Sequence, residues 1–284
     1  MSSYKYQLYI PGGNKTALVF GTDGLESDIA RRCEIQDRIL TRHAKDPDGE
    51  VEQVGFIAVG GAAPALIMAG GEFCGNATRT AAAYYLQGKT GEIEISVSGA
   101  GKKLRAGRGI TGEIWAEMPV YEDLNKAVTP LSNGSYWVQM DGISHLIVPQ
   151  RIAMPILDQI FTCTQKADQL QLAVDFLEQT IAAYKLSAGE AYGLILLENT
   201  VDVLTMRPFV HVKTASTTYY ESGCGSGAMS VGLVSSRLRG ESVKLALVQP
   251  SGKVISANVE RLEGKVRGRI SGAVECGEIF ELCE

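Results

Sequence analysis

Two cysteines sit in matching contexts, one in each half of the chain: Phe73-Cys74-Gly75-Asn76-Ala77-Thr78 and Gly223-Cys224-Gly225-Ser226-Gly227. Each precedes a Gly-small-small step that opens a helix-like run. A thiol just ahead of a helix faces unpaired backbone N–H groups and the positive end of the helix dipole. That setting is expected to lower its pKa and raise its thiolate fraction. The same N–H groups suit a carboxylate. If the two helix starts face each other, Gly75-Asn76 and Gly225-Ser226 can hold one small carboxylate with a thiol on each side of its carbon. One thiolate could then take a proton from one face while the other thiol returns one to the opposite face. A carbanion made this way must be stabilised by the helix-end N–H groups in a site closed to water.

Other chemistry is less well supported. Six cysteines (Cys33, Cys74, Cys163, Cys224, Cys276, Cys283) could form three disulfides, but 284 residues with 45% hydrophobic content need no staples. No Cys-x-x-Cys pair occurs and His43, His145 and His211 are scattered, so no zinc site and no metal is expected. No strand-associated G-x-G-x-x-G or glycine-rich loop accompanies a lysine, so no cofactor is expected, pyridoxal phosphate included. A net charge of −5 argues against nucleic acid or an anionic membrane as partner. The start of the chain lacks a charged n-region followed by an apolar h-region, and no apolar run is long enough to span a bilayer. The expected setting is cytoplasmic. Cys33, Cys163, Cys276 and Cys283 read as small buried or surface residues, Asn14 as a turn residue, and Trp115 and Trp137 as core.

The elements that would position the thiols repeat. Residues 4–10 and 17–20 read as strands around the turn Pro11-Gly12-Gly13-Asn14. Ser27 is a candidate N-cap for a helix over 28–43, with Ile29, Ile35 and Ile39 on one face. A solvated loop at 45–49 leads to strands at 51–57 and 65–68, joined by a Gly/Ala turn. The first cysteine then opens a helix over 76–87 stopped by Gly88. Strands follow at 92–98, 102–106 and 113–118, and Pro119 to Pro130 reads as a crossover. The second half runs strand–turn–strand at 136–148, helix at 166–185, and strands at 192–197 and 201–206. Cys224 then opens a helix over 228–238 closed by Gly240, and Val243 to Ile255 reads as strand, turn and strand. Duplication of one unit is the economical explanation. It divides the chain into a first lobe, 1–127, carrying Cys74 and completed by 273–284, and a second, 128–272, carrying Cys224.

These residues resemble a known group. Phe73-Cys74-Gly75-Asn76-Ala77-Thr78-Arg79, Cys224-Gly225-Ser226-Gly227 and the Pro-Gly-Gly-Asn14 turn are similar to the cofactor-independent, two-cysteine racemase/epimerase superfamily. Diaminopimelate epimerases and proline racemases belong to it. Within it, Glu52-Gln53-Val54-Gly55-Phe56-Ile57, Glu72-Phe73-Cys74 and Gln249-Pro250-Ser251-Gly252 resemble the histidine racemases of opine-type, staphylopine-like metallophore biosynthesis. The resemblance implies an α+β fold of two pseudo-symmetric lobes. Each would be a mostly antiparallel, β-barrel-like sheet around a central helix. It implies Cys74 and Cys224 as the acid/base pair, with Asn14, Glu52, Gln53 and Glu221 recognising the ammonium and side chain of a small amino acid, histidine in the closest comparison. It also implies a homodimer. Two departures weaken a diaminopimelate reading: Tyr219-Tyr220-Glu221-Ser222-Gly223 lacks an arginine before the second cysteine, and Gly142-Ile143-Ser144-His145 replaces the expected Gly-Asn-Pro-His. A binding protein that only holds a ligand and a thiol redox protein are the rivals from other classes.

Overall fold

The computed structural model describes residues 3–21, 24–46, 49–60, 63–200 and 203–283. Parts of three expected features, Pro47-Asp48 of the solvated loop, Gly61-Ala62 of the Gly/Ala turn and Val201-Asp202 at a strand start, lie outside the described residues. Among those described, six helices and seventeen strands form a sheet-dominated α+β protein. The first elements are β1 (Ser3–Pro11), β2 (Thr16–Phe20), α1 (Ile29–His43), β3 (Gln53–Ile57), β4 (Ala65–Met68) and α2 (Gly75–Leu86). Next come β5 (Gly91–Val97), β6 (Leu104–Arg108), β7 (Ile114–Met118), α3 (Leu124–Ala127) and β8 (Val128–Pro130). They are followed by β9 (Tyr136–Met140), β10 (Ile143–Val148), α4 (Gln150–Thr162), α5 (Lys166–Tyr184), β11 (Ala191–Thr200), β12 (Val203–Val212) and β13 (Thr217–Tyr220). The last are α6 (Gly225–Arg239), β14 (Val243–Val248), β15 (Val254–Leu262), β16 (Lys265–Gly272) and β17 (Val274–Cys283).

The pairings run in two matching series. β1–β2 is antiparallel, β2–β3 parallel, β3–β4 antiparallel, β4–β5 parallel, and β5–β6 and β6–β7 antiparallel. In the second half β9–β10 is antiparallel, β10–β11 parallel, β11–β12 antiparallel, β12–β14 parallel, and β14–β15 and β15–β16 antiparallel. Each series gains one antiparallel strand at its start, β17 on β1 and β8 on β9. The two series meet where β7 pairs with β16, Ala116 opposite Ile270.

One helix lies inside each series. The helix α2 packs against β1 to β7 and β17, and α6 against β8, β9, β10 and β14 to β16. A helix enclosed by strands cannot keep a polar face. The sequence complies: every residue from Gly75 to Ala82 and from Gly225 to Val234 is buried, and nearly all are small or apolar. Both helices end on left-handed residues, Gln87 in α2 and Gly240 in α6, while the expected stop Gly88 lies one residue further on with φ 79°. The helices α1, α4 and α5 instead bury one face each, apolar in α4, mostly so in α5, and in α1 shared by Ile35 and Ile39 with Arg32, Gln36 and His43. No helix among the described residues is long and apolar enough to cross a membrane.

Several local expectations need correction, among them the crossover at 119–130, which holds α3 and β8. Asp28, not Ser27, caps α1, its carboxylate accepting the Arg31 N–H at 2.9 Å. Ile35 and Ile39 are buried as expected, but Ile29 sits in the first turn and is exposed. The helix α4 was not anticipated because Pro155 interrupts it. Proline removes one backbone bond there, yet Ala153, Leu157 and Ile160 bury one face, and that burial outweighs the lost bond. Trp115 is half-exposed beneath the Arg269 guanidinium, 4.6 Å from its ring centre, whereas Trp137 is core.

Candidate active site

Cys74 and Cys224 are the N-cap residues of the two enclosed helices, both in extended backbone. Their sulfurs take the place of a capping oxygen. Cys74 Sγ accepts from the Ala77 N–H and Cys224 Sγ from the Gly227 N–H, each at 3.3 Å. Both thiols line one cavity, together with Glu52, Gln53, Glu72 and Glu221. All six described cysteines are free, and Cys276 and Cys283 lie exposed on the surface.

The glycine after each cysteine is required by packing. A Cβ on Gly75 would stand 2.9 Å from Ile270 Cδ1, and one on Gly225 2.5 Å from the same atom. Ile270 is thus wedged against both helix starts. The Gly225 Cβ would also stand 3.1 Å from Asn76 Oδ1, so the starts of α2 and α6 lie side by side. The turn at Gly12 and Gly13, both with positive φ, packs closely against the approach to Cys224, where a Cβ on Gly223 would meet Gly12 O at 2.4 Å.

Every site residue expected from the sequence is brought into this region. Three first-half side chains reach the segment ahead of Cys224. Glu52 accepts the Ser222 N–H at 3.1 Å and the Asn14 amide at 2.7 Å. Asn76 Nδ2 donates to Gly223 O at 2.6 Å. Gln53 Nε2 donates to Glu221 Oε1 at 2.7 Å, while its Oε1 accepts the Cys74 thiol at 2.7 Å. Asn14 is therefore more than a turn residue: wholly buried, it also takes the Thr16 hydroxyl at 2.8 Å. Glu52 and Gln53 hold protein groups rather than standing free.

Beside Cys224, Ser226 Oγ lies 3.5 Å from the sulfur and 2.8 Å from His145 Nε2. Burial pushes the His145 pKa down to about 3, so the imidazole is neutral at physiological pH. The Cys224 N–H donates to Gln249 Oε1 at 2.9 Å. Arg79, wholly buried, donates to Asn76 Oδ1 at 2.9 Å and keeps two nitrogens without partners. Burial lowers its pKa to about 10, which leaves a cation behind the helix starts. Sequence reasoning assigned no role to Arg79 or Gln249. A charge inside a run of small helical residues was the signal for the first. The second stands in the Gln249-Pro250-Ser251-Gly252 pattern, whose resemblance carried no role for the side chain.

The expectation of a depressed thiol pKa is overturned. Burial first, and then the Glu221 carboxyl, push both thiols well above the usual value. The helix-end N–H groups pull the other way but do not prevail. A thiolate loses more by leaving water than two N–H groups return. Burial also raises Glu221 to about 7 and, with repulsion from Glu221, Glu52 to about 8. Glu221 lines the same cavity as Cys224, and its carboxyl adds to burial in holding the proton on that thiol.

Residues 11–277 match the family described as the histidine racemase CntK N-terminal domain. A histidine racemase of Fusobacterium nucleatum is 25% identical over 284 residues, covering 94% of this chain and 95% of the relative. That of Staphylococcus aureus is 23% identical over 265 residues, covering 88% and 87%. Among solved structures, a PhzF-family phenazine biosynthesis protein of Bacillus anthracis shares the fold with a TM-score of 0.61 at 14% identity, covering 100% of both chains. A hydroxyproline epimerase of Agrobacterium vitis, with bound trans-4-hydroxy-L-proline, gives 0.61 at 12% identity over 99% of this chain and 92% of the other. The chain belongs to the histidine racemase family and is an isomerase of the amino-acid racemase class.

Proposed function

We propose that the protein is a pyridoxal-independent histidine racemase in which Cys74 and Cys224 are the two acid/base groups, one on each face of Cα. The observation that carries this reading is the pair of N-cap thiols lining one cavity. The substrate carboxylate sits on the N–H groups of Gly75-Asn76 and Gly225-Ser226, where the helix dipoles and Arg79 favour negative charge. In one direction Glu221 takes the Cys224 proton, and the thiolate removes the α-proton. The charge flows into the carboxylate as it becomes enediolate-like, and the helix ends stabilise it. Cys74 delivers its proton to the opposite face, leaving the enantiomer, a Cys74 thiolate, a Cys224 thiol and a protonated Glu221, whose proton then passes to Cys74 and restores the starting state. The reverse direction exchanges the two roles. A substrate ammonium beside Gln53 and Glu221 offsets part of the cost of forming a buried thiolate. Asn14 and Glu52 hold the wall behind it.

The matched strand series support a reading as two pseudo-symmetric lobes, 1–127 with 273–284 and 128–272, each sheet curling round its helix. The active site then lies at their junction. The resemblance extends the proposal to D-histidine made for an opine-type metallophore, and to a cytoplasmic homodimer, which light scattering would test. The function is tested with a panel of L-amino acids and diaminopimelate, scored by chiral chromatography without added pyridoxal phosphate. Histidine should be inverted fastest. Faster inversion of diaminopimelate would replace the histidine reading.

A further inference from the structure

The peptide unit that joins Gly223 to Cys224 is held at both of its polar ends. Its carbonyl, Gly223 O, accepts Asn76 Nδ2 at 2.6 Å. Its N–H, that of Cys224, donates to Gln249 Oε1 at 2.9 Å. Both amide side chains are buried, and each is tied at its far end. Asn76 Oδ1 accepts Arg79 at 2.9 Å, and Gln249 Nε2 donates to Leu247 O at 3.1 Å. A chain of hydrogen bonds thus runs from the Arg79 guanidinium through Asn76, the Gly223–Cys224 peptide and Gln249 to Leu247 of β14.

A peptide that follows a glycine needs such fastening, because a residue without Cβ restricts the rotation of the next plane least. Turning that plane changes φ of Cys224 and swings the thiol off the Gly227 N–H, which it accepts at 3.3 Å. Gln249 is itself set by the tight turn between β14 and β15. Its N–H donates to Lys253 O at 2.9 Å, and its carbonyl accepts the Gly252 N–H at 2.8 Å. Ser251 fastens that turn, its N–H on Ser222 O at 3.1 Å and its hydroxyl on Gly12 O at 3.0 Å. The matching turn in the first half, after β5, engages the chain earlier: Ser98 Oγ donates to Glu72 O at 2.7 Å, two residues before Cys74.

We propose that Gln249 is a positioning residue for Cys224, its amide fixing the Gly223–Cys224 peptide and so aiming the thiol at the substrate carbon. The assignment rests on the racemase reading, with Cys224 as one of the two acid/base groups. Gln249 is not among the residues that line the cavity. It therefore acts on the rate through Cys224 rather than on substrate affinity.

The test measures L-histidine racemisation against pH, with thermal unfolding alongside, in Gln249→Met, Gln249→Glu and Ser251→Ala. Gln249→Met keeps the side-chain length without its hydrogen bonds. It should lower kcat about 10–100-fold and leave KM within about threefold, as expected when a reacting group is displaced on the ångström scale. Gln249→Glu is the rescue: a neutral carboxylic acid still accepts the Cys224 N–H and donates its O–H to Leu247 O. Once ionised it faces Leu247 O with no proton and puts negative charge beside the Cys224 backbone, which disfavours a thiolate there. Its turnover relative to wild type should fall as pH rises, a signature that lost packing does not produce. Ser251→Ala should lower the unfolding temperature without that pH dependence. Wild-type kcat in Gln249→Met, or a Gln249→Glu ratio to wild type that stays flat with pH, would overturn the assignment. Iodoacetamide alkylation of Cys224, read by peptide mass against Cys74, separates this from the parent reading. In Gln249→Glu the rise of the Cys224 rate with pH should move upward while that of Cys74 does not. That displacement, in a protein whose wild type leaves the histidine α-proton in place, would keep the Gln249 clamp and remove the racemase reading.

Discussion

The two thiols occupy the same structural position and face different chemistry. Cys74 and Cys224 cap equivalent helices, accept the same third-residue N–H, and are followed by glycines packed on one isoleucine. Cys74, however, donates to a neutral amide, Gln53 Oε1, which holds its proton in the resting site. Cys224 lies beside a serine tied to a neutral histidine, while the Glu221 carboxyl, raised by burial to about 7, pushes up both thiols. Two matching strand series thus set the thiols in equivalent positions, and the unmatched side chains give each a different hydrogen-bond partner. Gln53 connects them, holding Cys74 with one end of its amide and Glu221 with the other.

That comparison can be broken in stages. Replacing either thiol should do most: Cys74→Ser and Cys224→Ser should each lower turnover by about 10²–10⁴-fold, the usual contribution of a positioned acid or base. Cys33→Ser and Cys283→Ser should leave it unchanged, and equal activity in all four variants would dissolve the pairing. Glu221→Gln should come next. If Glu221 must be ionised to receive the Cys224 proton, turnover rises with pH through about 7 in wild type. The variant should lose that limb and fall about 10–100-fold, whereas a limb that survives would assign it elsewhere.

Smaller effects test the joint between the halves. Glu52→Ala leaves the Asn14 amide and the Ser222 N–H without their acceptor. Unfolding should become easier by about 1–3 kcal/mol for each buried donor stranded. Because the Glu52 carboxyl is raised from 4.5 to about 8, the folded state holds its proton more tightly than the unfolded chain. Its contribution is full below about 4.5 and is lost as pH rises through about 8. Thermal unfolding of Glu52→Gln should therefore fall less between pH 5 and 9 than that of wild type, each a chosen pH about the window. Ser226→Ala should be mildest, a few-fold on turnover, since it removes one neighbour of Cys224 and its link to His145.

Much of this was legible in the chain itself. Periodicity and turn residues located most strands, and the step after each cysteine announced a helix, whereas a central place for those helices was implied only by the family resemblance. The order of elements announced the repeat, because duplicated units keep their local signals. The helix α4 was hidden by Pro155, which in isolation reads as a break. The short strand β13 merged with the approach to Cys224. The partners of the site were harder to read. Asn14, Glu52 and Gln53 could be marked as polar residues near the right turns, but their hydrogen bonds cross from one half to the other. Only the fold reveals that they grip residues 221–223. The thiol pKa values were misjudged for a related reason: the helix dipole is a local feature, whereas burial and the Glu221 carboxyl come from tertiary packing.

The central claim is that two thiols work on opposite faces of one carbon without a cofactor. The direct measurement incubates L-histidine with the protein in heavy water, without pyridoxal phosphate, and follows Cα by NMR and chiral chromatography. At early times newly formed D-histidine should carry solvent deuterium at Cα while the remaining L-histidine stays largely unlabelled, because different groups remove and return the proton. D-histidine formed with its original proton, or inversion only when pyridoxal phosphate is added, would contradict it.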